Sequence, residues 1–463
     1  MNCRFVHYSD VENAYDDPER IGRLAGLIRQ LRDDATFVCG TGDTTAPGLL
    51  ATETGGSHVH PFFEEIAPDF ATFGNHDFDN GRDALREVVA AAPQTWLSAN
   101  VRTDAGDPFA ADAGVRTTAL ASVGGTRVGF VGVTDPETLG VHPCAADLTV
   151  ADPVPATERA AADLRDSGAD LVVVLSHAGD RDDDLAGLDG VDLVLGGHVH
   201  DVRADSVDGT PVVHPGQRGE LVSAVTVTRR GVDATLHDVT EAPVAEDVAE
   251  IYRETYVDLG LDETVATTEA TLPRDRAACY PESAIGNTVA DALRWAGDAD
   301  LGVFHALQLR TGPPLSGEVT VGDLRSAVPF DNEIHATRLT GGEVAELLGN
   351  LATPGPDREV FGHVSGATLD WRRSETDLAL ASATVGGETP DESAEYTVAA
   401  PAYAFEHGLF APLGPDRIEG THGWSQSVLV EYVRHHGLSA GPEGRMNAVA
   451  DAGRESSGSL RSL

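Results

Sequence analysis

The chain has 463 residues, enough for two or three domains each with its own core. All 32 basic residues are arginine, and against 75 acidic residues they leave a net charge of −43, which repels nucleic acid and anionic membranes and excludes both as expected partners. At 41% hydrophobic the composition also excludes disorder, so the charge reads as an acidic, hydrated surface suited to high salt.

The amino terminus, MNCRFVHYSD, runs directly into a strand pattern. No signal peptide is visible and no apolar run approaches ~18 residues, so a halophilic cytoplasm is the expected location. Cys3, Cys39, Cys144 and Cys279 are scattered without a C-x-x-C pair, which suggests neither a disulfide framework nor a thiolate zinc site. Next, PERIGRLAGLIRQLRDD places Ile21, Leu24, Ile28 and Leu31 at helical spacing. Short apolar runs follow in TFVCGTGD, FATFGNHD and TWLSAN. In TTALASVGGTRVGFVGVT, Gly124 and Gly125 suit a two-residue hairpin turn. Then come the helix ATERAAADLRDSG and the strands DLVVVLSH, VDLVLGGHVH and PVVHPG. Strands alternating with helices predict an α/β sandwich over residues 1–242. AEDVAEIYRETYVDLG reads as a linker helix within residues 243–262. A second domain, α+β in class, is expected over 263–440, with the helix SAIGNTVADALRWAGD and the strand ADLGVFHA. Residues 441–463, polar and rich in small side chains, read as a mostly mobile tail.

Most apolar runs of the first domain end in a polar cluster: Ser9-Asp10, Gly42-Asp43, Asn75-His76, Ser176-His177 and His198-Val199-His200. Four of the five have a bland explanation, while the two imidazoles after the glycine pair in GGHVH suit a metal. Asp10-Val11-Glu12 projects two carboxylates to one side of an extended segment, which is usually solvated charge. GTGD makes a plain turn, FGNHDFDNG an Asx-rich turn before a helix, and His177 a satisfied buried histidine. Together they suggest more, because ligands of α/β sheets bind outside the carboxyl ends of strands. Carboxylates, an amide oxygen and imidazoles at successive ends suit a two-metal centre with one bridging carboxylate. Asp10, Glu12 and His200 would serve one ion and Asn75, His177 and His198 the other, with Asp43 between.

The order D-x-E, G-D, G-N-H-D, an isolated His and G-H-V-H resembles the calcineurin-like metallophosphoesterase superfamily. GNHDFD, ESAIGNTVADALR and VPFDN are similar to its 5′-nucleotidase branch, which also includes 2′,3′-cyclic nucleotide phosphodiesterases and nucleotide-sugar hydrolases. The resemblance implies a metal-dependent hydrolase releasing phosphate from nucleoside 5′-monophosphates. Cyclic nucleotides, nucleotide sugars or other phosphate esters are the alternative substrates, and a non-catalytic metal- or nucleotide-binding protein is the less favoured class. It further implies that Asn75 holds the second metal and a phosphate oxygen. His76 would stabilise the transition state or protonate the leaving oxygen, and Asp79 would orient His76 and favour its cationic form. Most relatives have His where this chain has Glu12. That change makes the site harder and favours Mn²⁺ over Zn²⁺, with Co²⁺ or Fe²⁺ compatible.

In that family the second domain stacks the nucleobase between two aromatic rings and holds phosphate with arginines. On this chain VPFDN offers Phe330 as one stacker and Asn332 as a base or ribose contact. ALQLR keeps Arg310 but lacks the glycines of the family's G-G-x-R, and Arg274 and Arg276 stand near its phosphate-binding arginines. The family's G-G-D-G-[FY] appears as EHGLF, which leaves Tyr403, Phe405 or Phe410 as the second stacker.

Overall fold

The computed structural model describes residues 2–140, 142–274, 282–329, 332–354, 359–373, 378–406 and 410–449. Arg276, Cys279 and Phe330 lie outside the described residues. The chain divides into two units, Met1–Leu259 and Gly260–Leu463.

Two six-stranded sheets make the first unit. One runs in the order Gly231–Asp238, Leu221–Thr228, Asn2–Tyr8, Thr36–Thr41, Phe70–Thr72, Thr95–Leu97. The other runs Val202–Val207, Thr210–Pro215, Leu193–Gly196, Leu171–His177, Thr126–Thr134, Thr118–Val123. Asn2–Tyr8 through Thr95–Leu97 pair in parallel, as do Thr126–Thr134 through Thr210–Pro215 in the second sheet. Parallel strands are covered on both faces, which is why LVVVLSH is a continuous apolar run buried at every position. Phe5, Phe37, Phe70, Phe130, Leu175 and Leu195 form one core with residues of both sheets. The rings of Phe70 and Phe130 stack with centroids 4.2 Å apart. The expected α/β sandwich is present. Val123 pairs with Thr126 across Gly124 and Gly125, whose φ of 55° and 79° suit the two-residue turn.

The helix Pro18–Leu31 begins where Asp17 accepts the amides of Glu19 and Arg20, and it buries Ile21, Leu24 and Ile28. The helix Glu246–Asp258, anticipated as a linker, packs on it instead of spanning a gap. Val248, Ala249 and Tyr252 are buried, Arg29 pairs with Asp247 at 2.7 Å, and a Cβ on Gly22 would meet Ala249 at 3.0 Å. Among the described residues no helix is long and apolar enough to cross a membrane.

The second unit mixes helix and strand, as its α+β pattern predicts. Its larger sheet runs Ala352–Pro354, Glu359–Ser365, Leu301–His305, Glu395–Pro401, Glu333–Thr340, Gly420–Trp424. A smaller one runs Leu378–Val385, Ala367–Arg373, Met446–Val449. That last strand lies inside the segment expected to be a tail. It is anchored by the buried Glu282 carboxylate, which accepts the amides of Glu443, Arg445 and Met446, and by Arg445, which pairs with both oxygens of Asp291. Anchors so distant in sequence leave no sign in the local composition.

Candidate metal centre

The polar clusters leave the carboxyl ends of parallel strands in both sheets. Asp10 follows Asn2–Tyr8, Asp43 follows Thr36–Thr41 and Asn75 follows Phe70–Thr72. His177 ends Leu171–His177, and His198 and His200 follow Leu193–Gly196. The backbone there is strained: Asp10, Glu12, Asp43, His198 and His200 have φ between 47° and 78°. They are five of the ten described non-glycine residues with positive φ, a region that costs of order 1–3 kcal/mol per residue and persists only where neighbours enforce it. Missing side chains give the loops room. A Cβ on Gly74 would strike Asp43 Oδ1, and one on Gly197 would strike Ser9 Oγ.

Two clusters of ligand atoms result, Asp43 with His177 and His198, and Asp10 with Glu12 and His200. In the second, His200 Nε2 lies 3.3 Å from Asp10 Oδ1 and 3.1 Å from Glu12 Oε1. The loops are tied together by main chain, since Asp10 N–H donates to Gly42 O at 3.0 Å and Glu12 N–H to Asp43 O at 3.1 Å. His198 N–H reaches both oxygens of Asp10 at 3.2 Å, and His76 N–H donates to Asp43 Oδ1 at 2.8 Å.

The first cluster suits a cation. His177 is fully buried, and its Nδ1 donates to Thr41 O at 2.7 Å, which leaves the lone pair on Nε2. Nε2 makes no hydrogen bond, although Asp43 Oδ2 lies 3.1 Å away. Two acceptors face each other at that distance only if positive charge sits between them. Asn75 Oδ1 is likewise buried without a hydrogen-bond partner. Proton affinities carry the same message. Burial lowers the His177 pKa, but Asp43 and Asp10 outweigh it and carry it up to about 10. Hydrogen bonds to Asp10 and Glu12 carry His200 up to about 10 despite burial. Three carboxylates and three imidazoles are a mixed hard and borderline donor set for divalent ions.

His76 stands beside these atoms, with its Nδ1 3.0 Å from Asp79 Oδ2. Burial lowers its pKa, yet the bond to Asp79 and the charge of Asp43 raise it to about 9. The other Asp79 oxygen meets His142 Nε2 at 3.0 Å. Asp77 turns inward and accepts the amides of Asp43, Thr44, Thr45 and Gly74, which locks two ligand loops together. A further network holds the far side. Ser176 Oγ donates to Asp182 Oδ1, Asp182 Oδ2 lies 2.9 Å from His214 Nε2, and His214 Nδ1 meets Asp201. Sequence reasoning does not single out His142, Asp182 or His214, nor Asp201, although it directly follows His200. Asp135 was within reach of that reasoning. Asp135 follows the strand Thr126–Thr134 and lies 3.8 Å from His198 Nε2, so the same strand-end rule applies.

In the second unit, Arg274 is buried and donates to Ser326 Oγ at 3.0 Å and to Arg310 O at 3.4 Å, which brings the two arginines together. Asn332 and Ser425 exchange two hydrogen bonds, of 2.8 and 3.1 Å. Phe405 and Phe410 are 0% and 2% exposed and belong to the core with Leu347, Leu348 and Trp371. Phe405 meets the edge of His335, and Phe410 tilts over His305. Both candidates for the second stacker thus pack within this core. Tyr403 is 39% exposed.

Residues 3–202 match the family model of the calcineurin-like phosphoesterases, and residues 264–411 match that of the 5′-nucleotidase C-terminal domain. Endonuclease YhcR of Bacillus subtilis is 24% identical over 425 residues, covering 80% of this chain and 33% of that protein. A probable 5′-nucleotidase of Treponema pallidum is 28% identical over 194 residues, 40% of this chain and 32% of the relative. The chain thus spans about a third of the length of these relatives. The crystal structure of a 5′-nucleotidase precursor from Thermus thermophilus is similar with a TM-score of 0.74 and 22% identity, over 97% of this chain and 99% of that one, which shows a shared fold. Residues 3–202 thus form a calcineurin-like phosphoesterase domain, and residues 264–411 a 5′-nucleotidase C-terminal domain.

Proposed function

We propose that this protein is a two-metal phosphoesterase that releases phosphate from nucleoside 5′-monophosphates. The observation that carries the reading is the convergence of two donor clusters from four strand ends beside the His76–Asp79 pair. Two divalent ions bound there would supply a nucleophilic water at neutral pH and neutralise charge on the phosphoryl oxygens. Asp43 would serve both ions, and Asn75 would turn its amide oxygen to the second. His76 would act at the leaving group. As a water oxygen bonds to phosphorus, the ester P–O bond breaks, its electron pair passes to the leaving oxygen, and His76 Nε2 gives that oxygen its proton. Asp79 keeps Nδ1 occupied, so Nε2 is the nitrogen left for this work.

The resemblance of Treponema pallidum's probable 5′-nucleotidase supports a nucleotide substrate. In the second unit Arg274, Arg276 and Arg310 would bind phosphate, and Phe330, Asn332 and Tyr403 the nucleoside. A charge of −43 weighs against a polynucleotide and favours a cytoplasm rich in salt. Glu12 in place of an imidazole favours Mn²⁺. Burial of Phe405 and Phe410 supports a second reading, in which the substrate is a phosphate ester without a stacked base. Chromatography of the hydrolysis products together with phosphate release, in high-salt buffer with Mn²⁺, tests both. AMP, 2′,3′-cyclic AMP, a nucleotide sugar and phenyl phosphate would be compared. Fastest turnover of AMP supports the proposal, equal turnover of phenyl phosphate favours the second reading, and no turnover of any ester would sink both.

A further inference from the structure

We propose that His142 is a positioning residue for this reaction, holding the Asp79 carboxylate in the orientation from which it aims the His76 ring. The inference rests on the phosphoesterase reading. Asp79 divides its oxygens, Oδ2 to His76 Nδ1 and Oδ1 to His142 Nε2, both at 3.0 Å. A carboxylate held at one oxygen turns easily, because the terminal torsion of Asp is broad. Held at both, it has a fixed plane, and the ring bonded to it has a fixed direction.

His142 can do this as a neutral ring. The Cys144 amide donates to its Nδ1 at 3.3 Å, so Nδ1 carries the lone pair and Nε2 the hydrogen. His142 therefore donates to Asp79 without changing charge. Its backbone is held in turn. His142 N–H donates to Leu139 O at 3.0 Å, closing the short helix Pro136–Leu139. That helix starts at Asp135, whose carboxylate accepts the Thr138 amide at 2.7 Å and lies 3.8 Å from His198 Nε2. Asp135 thus stands at the edge of the metal centre and His142 at the back of the His76–Asp79 pair. His142 is only 18% exposed in its side chain, and Asp79 26%, so water competes weakly for the bond.

The test uses the full chain loaded with Mn²⁺, as wild type, His142→Ala and His142→Gln. Turnover of AMP, whose alkoxide leaving group needs a proton, is compared with that of p-nitrophenyl phosphate, whose leaving group does not. His142→Ala should lower kcat for AMP about tenfold, the lower end for an outer partner of a working site, with KM within twofold. Its loss on the aryl ester should be several times smaller. His142→Gln, whose amide can donate to Asp79, should recover most of the AMP rate, and both variants should bind as much Mn²⁺ as wild type. Equal loss on both esters, loss of metal, or an undiminished AMP rate would overturn the proposal. If wild type hydrolyses neither ester, the phosphoesterase reading fails. The positioning claim is then decided by ¹⁵N spectra of the histidine rings with Zn²⁺ in place of Mn²⁺. The His76 ring signals must move in His142→Ala and return in His142→Gln, and unchanged His76 signals would refute it.

Discussion

The two units treat their motif residues in opposite ways. In the first, Asp10, Glu12, Asp43, His177, His198 and His200 come from distant stretches of chain and meet within two small clusters. In the second, Phe405 and Phe410 disappear into the core, while Tyr403 stays exposed. The difference follows from chemistry. Carboxylates and imidazoles gathered at strand ends must find partners for their charge and lone pairs, so burying them together is costly unless something binds there. A phenylalanine ring is equally content in a core or under a base. Polar motifs are therefore strong indicators of a site and aromatic ones are weak.

The sharpest way to break this contrast is to remove Asp43, the carboxylate of the cluster with His177 and His198. Asp43→Ala should lose at least one ion and nearly all turnover, read by metal analysis of the purified chain and by phosphate release. Two tightly held ions in that variant would remove Asp43 from the centre. His76→Ala comes next, with a loss of about 10²–10⁴ in kcat, the usual range for an acid–base group, and metal content unchanged. If the metal leaves as well, His76 is a ligand.

Two substitutions in the second unit sharpen the aromatic side of the comparison. Phe405→Ala should cost about 3–5 kcal/mol in stability, the range for deleting a buried phenylalanine, measured by denaturant unfolding in high salt. Tyr403→Ala should leave stability within about 0.5 kcal/mol, as surface changes usually do. It should raise KM for AMP by about 5- to 150-fold if the ring stacks on the base, equivalent to roughly 1–3 kcal/mol. An unchanged KM would favour the reading without a stacked base. The smallest expected effect is that of Glu12→His, which should shift relative activity from Mn²⁺ towards Zn²⁺ or Co²⁺ without abolishing turnover. An identical metal profile would place Glu12 outside the ligand set.

Strand ends, the Gly124-Gly125 hairpin and the helix Pro18–Leu31 were legible because their signals are local. Hydrophobic period, a capping aspartate and a glycine pair each act within a few residues. The candidate ligands were legible too, since each side chain follows an apolar run that could only be a strand, and parallel strands deliver their carboxyl ends to one edge. Tertiary structure alone decided the rest. It brought His142 to Asp79 across 63 positions of chain and joined Ser176, Asp182, His214 and Asp201 into one network. It turned part of an apparent tail into the strand Met446–Val449 through the Glu282 carboxylate. It also separated Tyr403 from Phe405, two residues apart in sequence, one exposed and the other in the core. Such outcomes depend on which surfaces meet after collapse, and a side chain able to serve either place carries no local mark of its destination.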